Sequence, residues 1–290
     1  MIVIPQNMRQ YLPSYNFKLE PTRLHDFLLR AQDWLTENII GPDIESDLEN
    51  PVQEGQDDPH SRLRTMACRV ICETAYLTAV AEMDLQLSEA GFVVQNNEKM
   101  SPASQQRVER LIGSLQERQC NDCDSLVKYL MDYSVEHSTL ESHDKYADWR
   151  GSAQFEMLTQ AFMPTLSELR RSCRTVTVAR WPEFLELQTA MSRALHSTVA
   201  NYVSEDQVNA LLDLYRDNEL VTTHQRALKL IRMAVGAETE GLHDNAVHFA
   251  IEARNLMLAN EDDFQEFVNS DRYVMPKPFD FGEGSVANLL

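Results

Sequence analysis

Apolar residues recur three and four positions apart along most of the chain, which is the period of an amphipathic α-helix. Segment 21–40 has this pattern and is expected to be the first long helix, with Pro21 in its first turn. The pair Gly41-Pro42 should end it. A second helix should begin at Asp58-Pro59. It is rich in small residues and should lie in the core, with one apolar face formed by Leu63, Met66, Ala67, Val70, Ile71, Ala75 and Thr78.

Similar patterns predict further helices, which together would make a mostly α-helical, multi-helix bundle. Ser204 and Gln207 have the spacing of a capping box, which predicts a helix start at Ser204. The other helices are expected from Ser101-Pro102 through Leu115, and over residues 124–137, 180–201, 222–235 and 244–258.

Residues 84–95 interrupt the helical period. Two short apolar runs, 85–87 and 92–94, flank the turn residues 88–91, which predicts one small β-hairpin. Since a two-stranded hairpin is not stable by itself, it should lean on helices or on a neighbouring subunit.

The chain is expected to divide into two helical halves and a tail. The polar segment 138–152 predicts a boundary between an N-terminal half with the hairpin, residues 1–145, and a C-terminal half, residues 146–271. Residues 272–290 contain two prolines and two glycines and are expected to be irregular.

The two halves share a pattern. Residues 27–49 and residues 184–219 both read as a long amphipathic helix, a break and a short acidic helix, and an alanine-rich helix follows each. The halves are therefore either related by duplication or simply consecutive, because any helical bundle produces such similarities.

The charge of the chain is strongly negative. It carries 26 Lys and Arg against 45 Asp and Glu over 290 residues, a formal net charge of −19. This excess repels nucleic acid, and no basic stripe with interleaved aromatic residues is present, so sequence-specific nucleic-acid binding is not expected. The densest acidic run, 43–58, has seven acids and no base. It should be a solvated loop, or else a cation site or a docking surface for a basic partner.

Membrane and disulfide signals are weak. No run of 18 apolar residues occurs, so no membrane span is expected. The apolar start MIVIP is too short for a signal peptide, which predicts a cytoplasmic location in the producing cell. Five cysteines, an odd number, predict reduced thiols. Cys68 and Cys72 should share one helix face as buried packing residues.

The best metal candidate is the set Cys120, Cys123, His137 and His143. Its spacing falls within the window of a two-cysteine, two-histidine zinc site. A zinc finger folds around its metal because it lacks a core, whereas this chain has ample apolar residues, and surface or capping roles suit the histidines. We therefore expect no metal and no other cofactor.

Motifs of the common enzyme classes are missing from the sequence. There is no G-x-S-x-G, no Walker A loop, no G-x-G-x-x-G and no H-E-x-x-H. No matched pair of Glu-x-x-His motifs indicates a di-iron centre. The chain is expected not to be an enzyme, and to have no catalytic or cofactor-binding residues.

Three stretches of the sequence carry a resemblance to a known family. They are residues 10–13 with Phe17, Ala31, Trp34 and 39–41; residues 84–85, 91–94, 102–104 and 107–111; and residues 263–264 with Phe267, Ser270 and Tyr273. In that order they resemble structural proteins of tailed phages and prophages of Bacteroidales, of the head–tail connector or neck-adaptor type. The similarity spans most of the chain and is firmest over residues 10–115.

The resemblance implies a virion structural protein of the neck that acts by protein–protein assembly, without catalysis. Its partners would be other copies of itself, in a ring, and phage portal or neck proteins, and an acidic lumen would let DNA slide. Phe92 and Val94 in the hairpin, and Phe279 and Phe281 in the tail, would contact neighbouring subunits or else pack onto their own bundle.

Two other functions are carried as alternatives. A monomeric helical adaptor of the host bacterium would use the acidic segment 43–58 to bind a basic partner, and added salt would weaken that binding. A zinc-stabilised protein or metalloenzyme would use Cys120, Cys123, His137 and His143, and chelation would destabilise it.

Overall fold

The fold is built almost entirely from α-helices, which confirms the prediction from the hydrophobic period. The computed structural model describes residues 1–3, 7–12, 24–49, 61–83, 86–88, 91–93, 105–137, 149–173, 178 and 180–273. The helices in these ranges are α1 (Met8–Tyr11), α2 (His25–Leu35), α3 (Gly41–Glu49), α4 (Ser61–Met83), α5 (Gln105–His137), α6 (Ala153–Thr159), α7 (Leu166–Ser172), α8 (Trp181–Ala194), α9 (Ala200–Val203), α10 (Glu205–Arg216), α11 (Thr222–Thr239), α12 (His243–Leu258) and α13 (Gln265–Val268).

Two short strands lie between α4 and α5, within the segment where the helical period is interrupted. They are β1 (Gln86–Ser88) and β2 (Gly91–Val93). They pair antiparallel, with Leu87 opposite Phe92 in the centre of the register. The turn residues 89–90 lie outside the described residues.

The first long helix ends at Gly41, as predicted, but the acidic segment that follows is helical over residues 43–49 and is not a loop there. Helix α2 continues into a wide, π-helical turn, Thr36–Ile40, and the chain then changes direction at Gly41, where φ is 75° and ψ is 165°. Glycine suits this conformation because it has no Cβ to clash with the backbone. Helix α3 follows at once, so residues 43–49 of the predicted acidic loop are helical, and residues 50–58 lie outside the described ranges.

The same path recurs in the second half. Helix α8 continues into a wide turn, Leu195–Val199, and then into α9. The chain changes direction at Ser204, where φ is 78° and ψ is 153°, and α10 begins. Ser204 lies 163 positions after Gly41. We call residues 24–49 the first unit and residues 187–212 the second unit.

Most buried positions of the two units correspond at this spacing of 163, although the two wide turns are offset by four residues. Buried Leu28, Leu35 and Ile40 correspond to buried Met191, Thr198 and Val203. The side-chain amide of Asn38 donates to the carbonyl of Trp34, and that of Asn201 donates to the carbonyl of Ser197, four residues back in each case. Identical residues occupy six matched pairs: Leu24/Leu187, Arg30/Arg193, Ala31/Ala194, Asn38/Asn201, Asp43/Asp206 and Leu48/Leu211.

The helices around the two units pack in the same order. Helix α4 packs against α2 and α5, and α11 packs against α8 and α12. One hydrophobic core runs through both halves, from Val3 to Phe267. The two halves of the described chain therefore share a single core.

Residues 149–163 join the two halves. The indole N–H of Trp149 donates to the carbonyl of Ile39 at 2.7 Å, and the side-chain amide of Gln154 donates to the carbonyl of Glu37 at 3.1 Å. Both carbonyls belong to the wide turn of the first unit, where π-helical geometry replaces the α-helical pattern of backbone hydrogen bonds. Residues 149–163, which we call the linker, thus donate hydrogen bonds to backbone carbonyls of the N-terminal half.

Helix α5 is one helix of 33 residues, about 50 Å long, where the sequence predicted two. No proline interrupts residues 105–137, and a single glycine, Gly113, is tolerated within a helix. The predicted start at Ser101-Pro102 lies outside the described residues. The half-buried Leu111 packs against the core, and Leu115 is the first fully buried side chain among those described along α5, so about 9 Å of the helix precedes its first contact with the core.

The start of α10 confirms the predicted N-cap. Ser204 Oγ accepts a hydrogen bond from the backbone N–H of Gln207 at 3.2 Å. The return bond of a capping box is replaced, because Gln207 Oε1 accepts from the backbone N–H of Phe267 at 2.9 Å. Of the predicted irregular tail, only Arg272 and Tyr273 are among the described residues.

Candidate functional sites

The proposed zinc ligands are not brought together on the part of the chain that the structure describes. Cys123 and His137 lie on one continuous helix, 14 residues and therefore about 21 Å apart along its axis, whereas zinc ligands lie about 2 Å from the ion. His143 lies outside the described residues. Within the described ranges, no group of three or more His, Cys, Asp or Glu side chains is arranged to hold a metal ion.

The cysteines behave as core residues. All five are free and buried, as predicted for Cys68 and Cys72, which share one face of α4. Burial raises the pKa of each thiol, most strongly at Cys123, which is fully buried. The thiolate is the reactive form of cysteine, so this burial disfavours reactivity at neutral pH.

Asp124 is a buried carboxylate that joins three helices. It accepts hydrogen bonds from the backbone N–H of Leu166 at 3.0 Å and of Ser167 at 2.9 Å, at the start of α7. It also accepts from the hydroxyl of Ser167 and from the indole N–H of Trp181, the first residue of α8, at 3.0 Å. A carboxylate at a helix N-terminus is stabilising, so Asp124 holds α7 and α8 on α5.

Glu73 is a second buried carboxyl group, between α4 and α5. Arg118 lies 3.0 Å from it. Burial and the neighbouring negative charge of Asp122 raise the pKa of Glu73 to about 8, against the opposing effect of Arg118. Glu73 therefore carries a proton more readily than an ordinary carboxyl group, and the helix pair contains a titratable group in its interior.

A polar groove lies between α6, α8 and α10. Its cavity has a volume of about 450 Å³. One face of each helix lines it: Ala153, Glu156, Met157 and Gln160 from α6, Ser192 from α8 with His196 from the wide turn, and Asn209, Leu212 and Arg216 from α10. Ligand pockets have volumes of roughly 300–1,000 Å³, so this groove is large enough to hold one.

His196 lines both this groove and a second recess of about 420 Å³. Its Nδ1 lies 2.5 Å from a carboxylate oxygen of Glu205, the first residue of α10. The second recess is lined by the N-terminal turn of α10 and by residues 269–272. His196 lies in a π-helical turn, a geometry that often marks functional sites.

Arg216 is the cation of the groove. It is half-buried, and its Nε donates to Thr159 Oγ1 at 3.0 Å. Thr159 is fully buried, and its hydroxyl donates to the carbonyl of Phe155 at 2.8 Å, which fixes the orientation of the pair. The sequence analysis missed Arg216 and His196, because neither belongs to a local motif.

The other predicted site residues can be placed only in part. Phe92 lies in β2, and Val94, Phe279 and Phe281 lie outside the described residues. On α3, the carboxylates of Glu45 and Glu49 accept from the side-chain amide of Gln32 at 2.5 and 2.7 Å. These two acids therefore hold α3 against α2, while Asp43 is exposed.

Comparison with known proteins is informative for the first half alone. Residues 18–156, slightly less than half of the chain, match the model of a family of unknown function, DUF6712. The match contains the whole first unit and stops within α6, before the second unit begins. No curated protein and no solved structure matches the chain. Among the described helices, none has the length and apolar character needed to cross a membrane.

Proposed function

We propose that this chain is a structural protein of a tailed phage or prophage virion, a head–tail connector of the neck. It would act without catalysis, by assembly with other copies of itself and with portal or neck proteins. The virion neck would be its final location, after synthesis in the bacterial cytoplasm. The observation that carries the proposal is the half-buried apolar stripe on the first turns of α5, within the α4–α5 helix pair.

The geometry of this pair suits contact with a neighbour. The side-chain amide of Gln119 donates to the hydroxyl of Thr74 at 2.7 Å, which joins the middle of α5 to the middle of α4. Over the first turns of α5, Val108, Leu111 and Ile112 form an apolar stripe that their own chain covers only in part. A partly exposed apolar stripe is the kind of surface that a second subunit buries.

The use of charge also favours a structural role. Asp124 holds α7 and α8 on α5. Arg232 donates to the carbonyl of Phe162 at 2.7 Å and lies 3.4 Å from Glu168, so it holds a buried turn. These ionic groups hold helices and turns together. The net charge of −19 would let DNA pass through a ring without adhering to it.

An internal duplication would account for the two units. It is supported by the shared backbone conformation at Gly41 and Ser204, by the matched burial, and by the same asparagine bond at Asn38 and Asn201. A protein with two related units presents two similar faces, which is useful in an adaptor between unlike partners.

Native mass spectrometry of the full chain, alone and with the portal protein of the same phage, tests the proposal. Wild type should form a closed ring, alone or on the portal, and the double substitution Leu111→Gln with Ile112→Gln should prevent ring formation. A matched control, Leu242→Gln with Ile251→Gln, changes two other exposed apolar residues and should leave the ring intact. Circular dichroism checks that each variant folds.

Other outcomes would overturn the connector proposal. A monomer that ignores the portal but binds a basic protein in a salt-sensitive way would support the host adaptor. One tightly held zinc ion per chain would support a zinc-stabilised protein. Removal of residues 272–290 tests the tail separately, because an intact ring without them would exclude the tail as an assembly arm.

A further inference from the structure

We propose that the groove between α6, α8 and α10 binds an extended peptide segment of another protein, and that Arg216 anchors a carboxylate of that peptide. Peptide binding here requires neither ring formation nor a portal, so it goes beyond the connector proposal and is independent of it.

The first argument is the state of Arg216. Its Nε is held by the buried Thr159, which leaves the outer edge of the guanidinium at the cavity. Among the described residues, no acid forms an ion pair with it, although the chain has 45 acids against 26 bases. A positioned, half-buried guanidinium without a carboxylate partner is suited to bind an oxyanion through two parallel N–H bonds.

The second argument is the balance of charge in the groove, which selects the kind of anion. Glu156, on α6, also lines the groove, and His196 already contacts the carboxylate of Glu205. A phosphate dianion would therefore meet one free cation and nearby acids. A peptide with a single carboxylate fits better. Its backbone N–H groups can donate to the side-chain oxygens of Glu156, Asn209 and Ser192.

The third argument comes from the first unit, where the corresponding place is occupied. At the spacing of 163, Leu195 and Leu212 correspond to Gln32 and Glu49. There, the backbone N–H of Ile2 donates to Gln32 Oε1 at 2.8 Å, and the backbone nitrogen of Met1 contacts Glu49. Val3 is buried beside them.

The first unit thus already holds a non-helical peptide segment between its two helices. In the second unit the corresponding helices border the open cavity of about 450 Å³, which Leu212 lines and from which Leu195 is buried away. The polar anchors differ, because Gln32 and Glu49 are replaced by leucines and the charge is supplied by Arg216. The second groove should therefore prefer a carboxylate where the first contacts backbone nitrogen.

Isothermal titration of the full chain with three short peptides tests the proposal. Acetyl-Gly-Asp-Gly-amide carries a side-chain carboxylate, acetyl-Gly-Gly-Gly carries a C-terminal carboxylate, and acetyl-Gly-Asn-Gly-amide is neutral. At least one acidic peptide should bind about tenfold or more tightly than the neutral one. The tighter of the two acidic peptides identifies the source of the carboxylate.

Variants separate the groove from general electrostatic attraction. Arg216→Gln should abolish the preference for the acidic peptide, while Arg226→Gln, at an exposed arginine of α11 outside the groove, should keep it. Should Arg216→Gln fail to fold by circular dichroism, Arg216→Lys should retain part of the preference. In wild type, inorganic phosphate should compete poorly with the acidic peptide. No peptide binding at millimolar concentration, equal binding of the neutral peptide, equal loss in Arg226→Gln, or stronger competition by phosphate would each overturn the proposal.

Discussion

The first unit and the second unit follow the same path through a helix, a wide turn and a residue with positive φ into a second helix, but they use different chemistry at the change of direction. In the first unit, Gly41 adopts a φ of 75° with no side chain to strain it. In the second, Ser204 adopts a φ of 78°, and its hydroxyl caps the following helix. A non-glycine residue in this region costs about 1–3 kcal/mol, and a serine cap returns about 1 kcal/mol of it.

The units also differ in how the rest of the molecule holds them. The wide turn of the first unit is held from outside, by Trp149 and Gln154 of the linker. The helix that leads into the second unit is held at its start, where Trp181 donates to the buried Asp124. Two tryptophan N–H groups thus anchor the two units at different points, which shows that the shared path does not depend on one particular anchor.

The largest expected effect comes from removing the anchor of the second unit. Asp124→Asn should lower the free energy of unfolding by about 3 kcal/mol or more, because buried N–H and hydroxyl donors of three residues lose an ionised acceptor. Urea denaturation measures this change. Asp213→Asn, at an exposed carboxylate of α10, serves as the control and should change stability by less than about 0.5 kcal/mol.

Exchanging the residues at the change of direction tests the comparison directly. Gly41→Ala should destabilise the protein by about 2 kcal/mol, since the new Cβ meets an unfavourable φ and lies 3.3 Å from Gln154 Oε1. Ser204→Gly should be neutral or stabilising, because glycine relieves strain and costs only a few tenths of a kcal/mol as a cap. The comparison is contradicted if urea denaturation shows a similar decrease in the free energy of unfolding for both variants.

A serine in the first unit would sharpen this result. Gly41→Ser should destabilise less than Gly41→Ala, by about 1 kcal/mol, if its hydroxyl can accept from the N–H of Ile44 as Ser204 does from Gln207. Equal stability of the two variants, measured by urea denaturation, would mean that the first unit does not permit the cap.

The anchor of the first unit should matter less than Asp124. Trp149→Phe keeps an aromatic ring against Phe155 but removes the indole N–H, so the carbonyl of Ile39 loses its partner. We expect a loss of about 1–2 kcal/mol. The control is Trp34→Phe, at a half-buried tryptophan of the first unit, and thermal unfolding measures both variants. An equal effect of the two substitutions would show that the hydrogen bond from the linker has no special role.

A pH-dependent effect distinguishes the helix pairs that follow the two units. The α4–α5 pair contains Glu73, whose pKa is raised, whereas the α11–α12 pair packs through buried alanines such as Ala234 and Ala250. Between the ordinary carboxyl pKa and the raised one, the folded state binds more protons than the unfolded state. Protonated Glu73 therefore contributes fully to the free energy of unfolding at low pH. This contribution is lost as the pH rises through the raised pKa of Glu73.

Glu73→Gln should therefore flatten the fall in stability between about pH 5 and about pH 8. Guanidinium denaturation of wild type and variant at the two pH values measures the difference. Glu82→Gln, an exposed glutamate at the end of the same helix, should leave the wild-type pH dependence unchanged. A variant that loses as much stability with pH as wild type would show that Glu73 does not titrate in this range.

The hydrophobic period of the sequence determined the helical class, the positions of α4, α11 and α12, the burial of Cys68 and Cys72, and the cap at Ser204. These are local properties, since burial on one helix face and capping involve residues a few positions apart. The tertiary structure alone decided that a second helix follows Gly41 at once, that α5 is continuous, and that Asp124 joins α7 to α8. It also decided that Arg216 meets Thr159, 57 positions away, in a groove of three helices. Contacts at such separations depend on how helices pack, and a periodic pattern does not encode which faces meet.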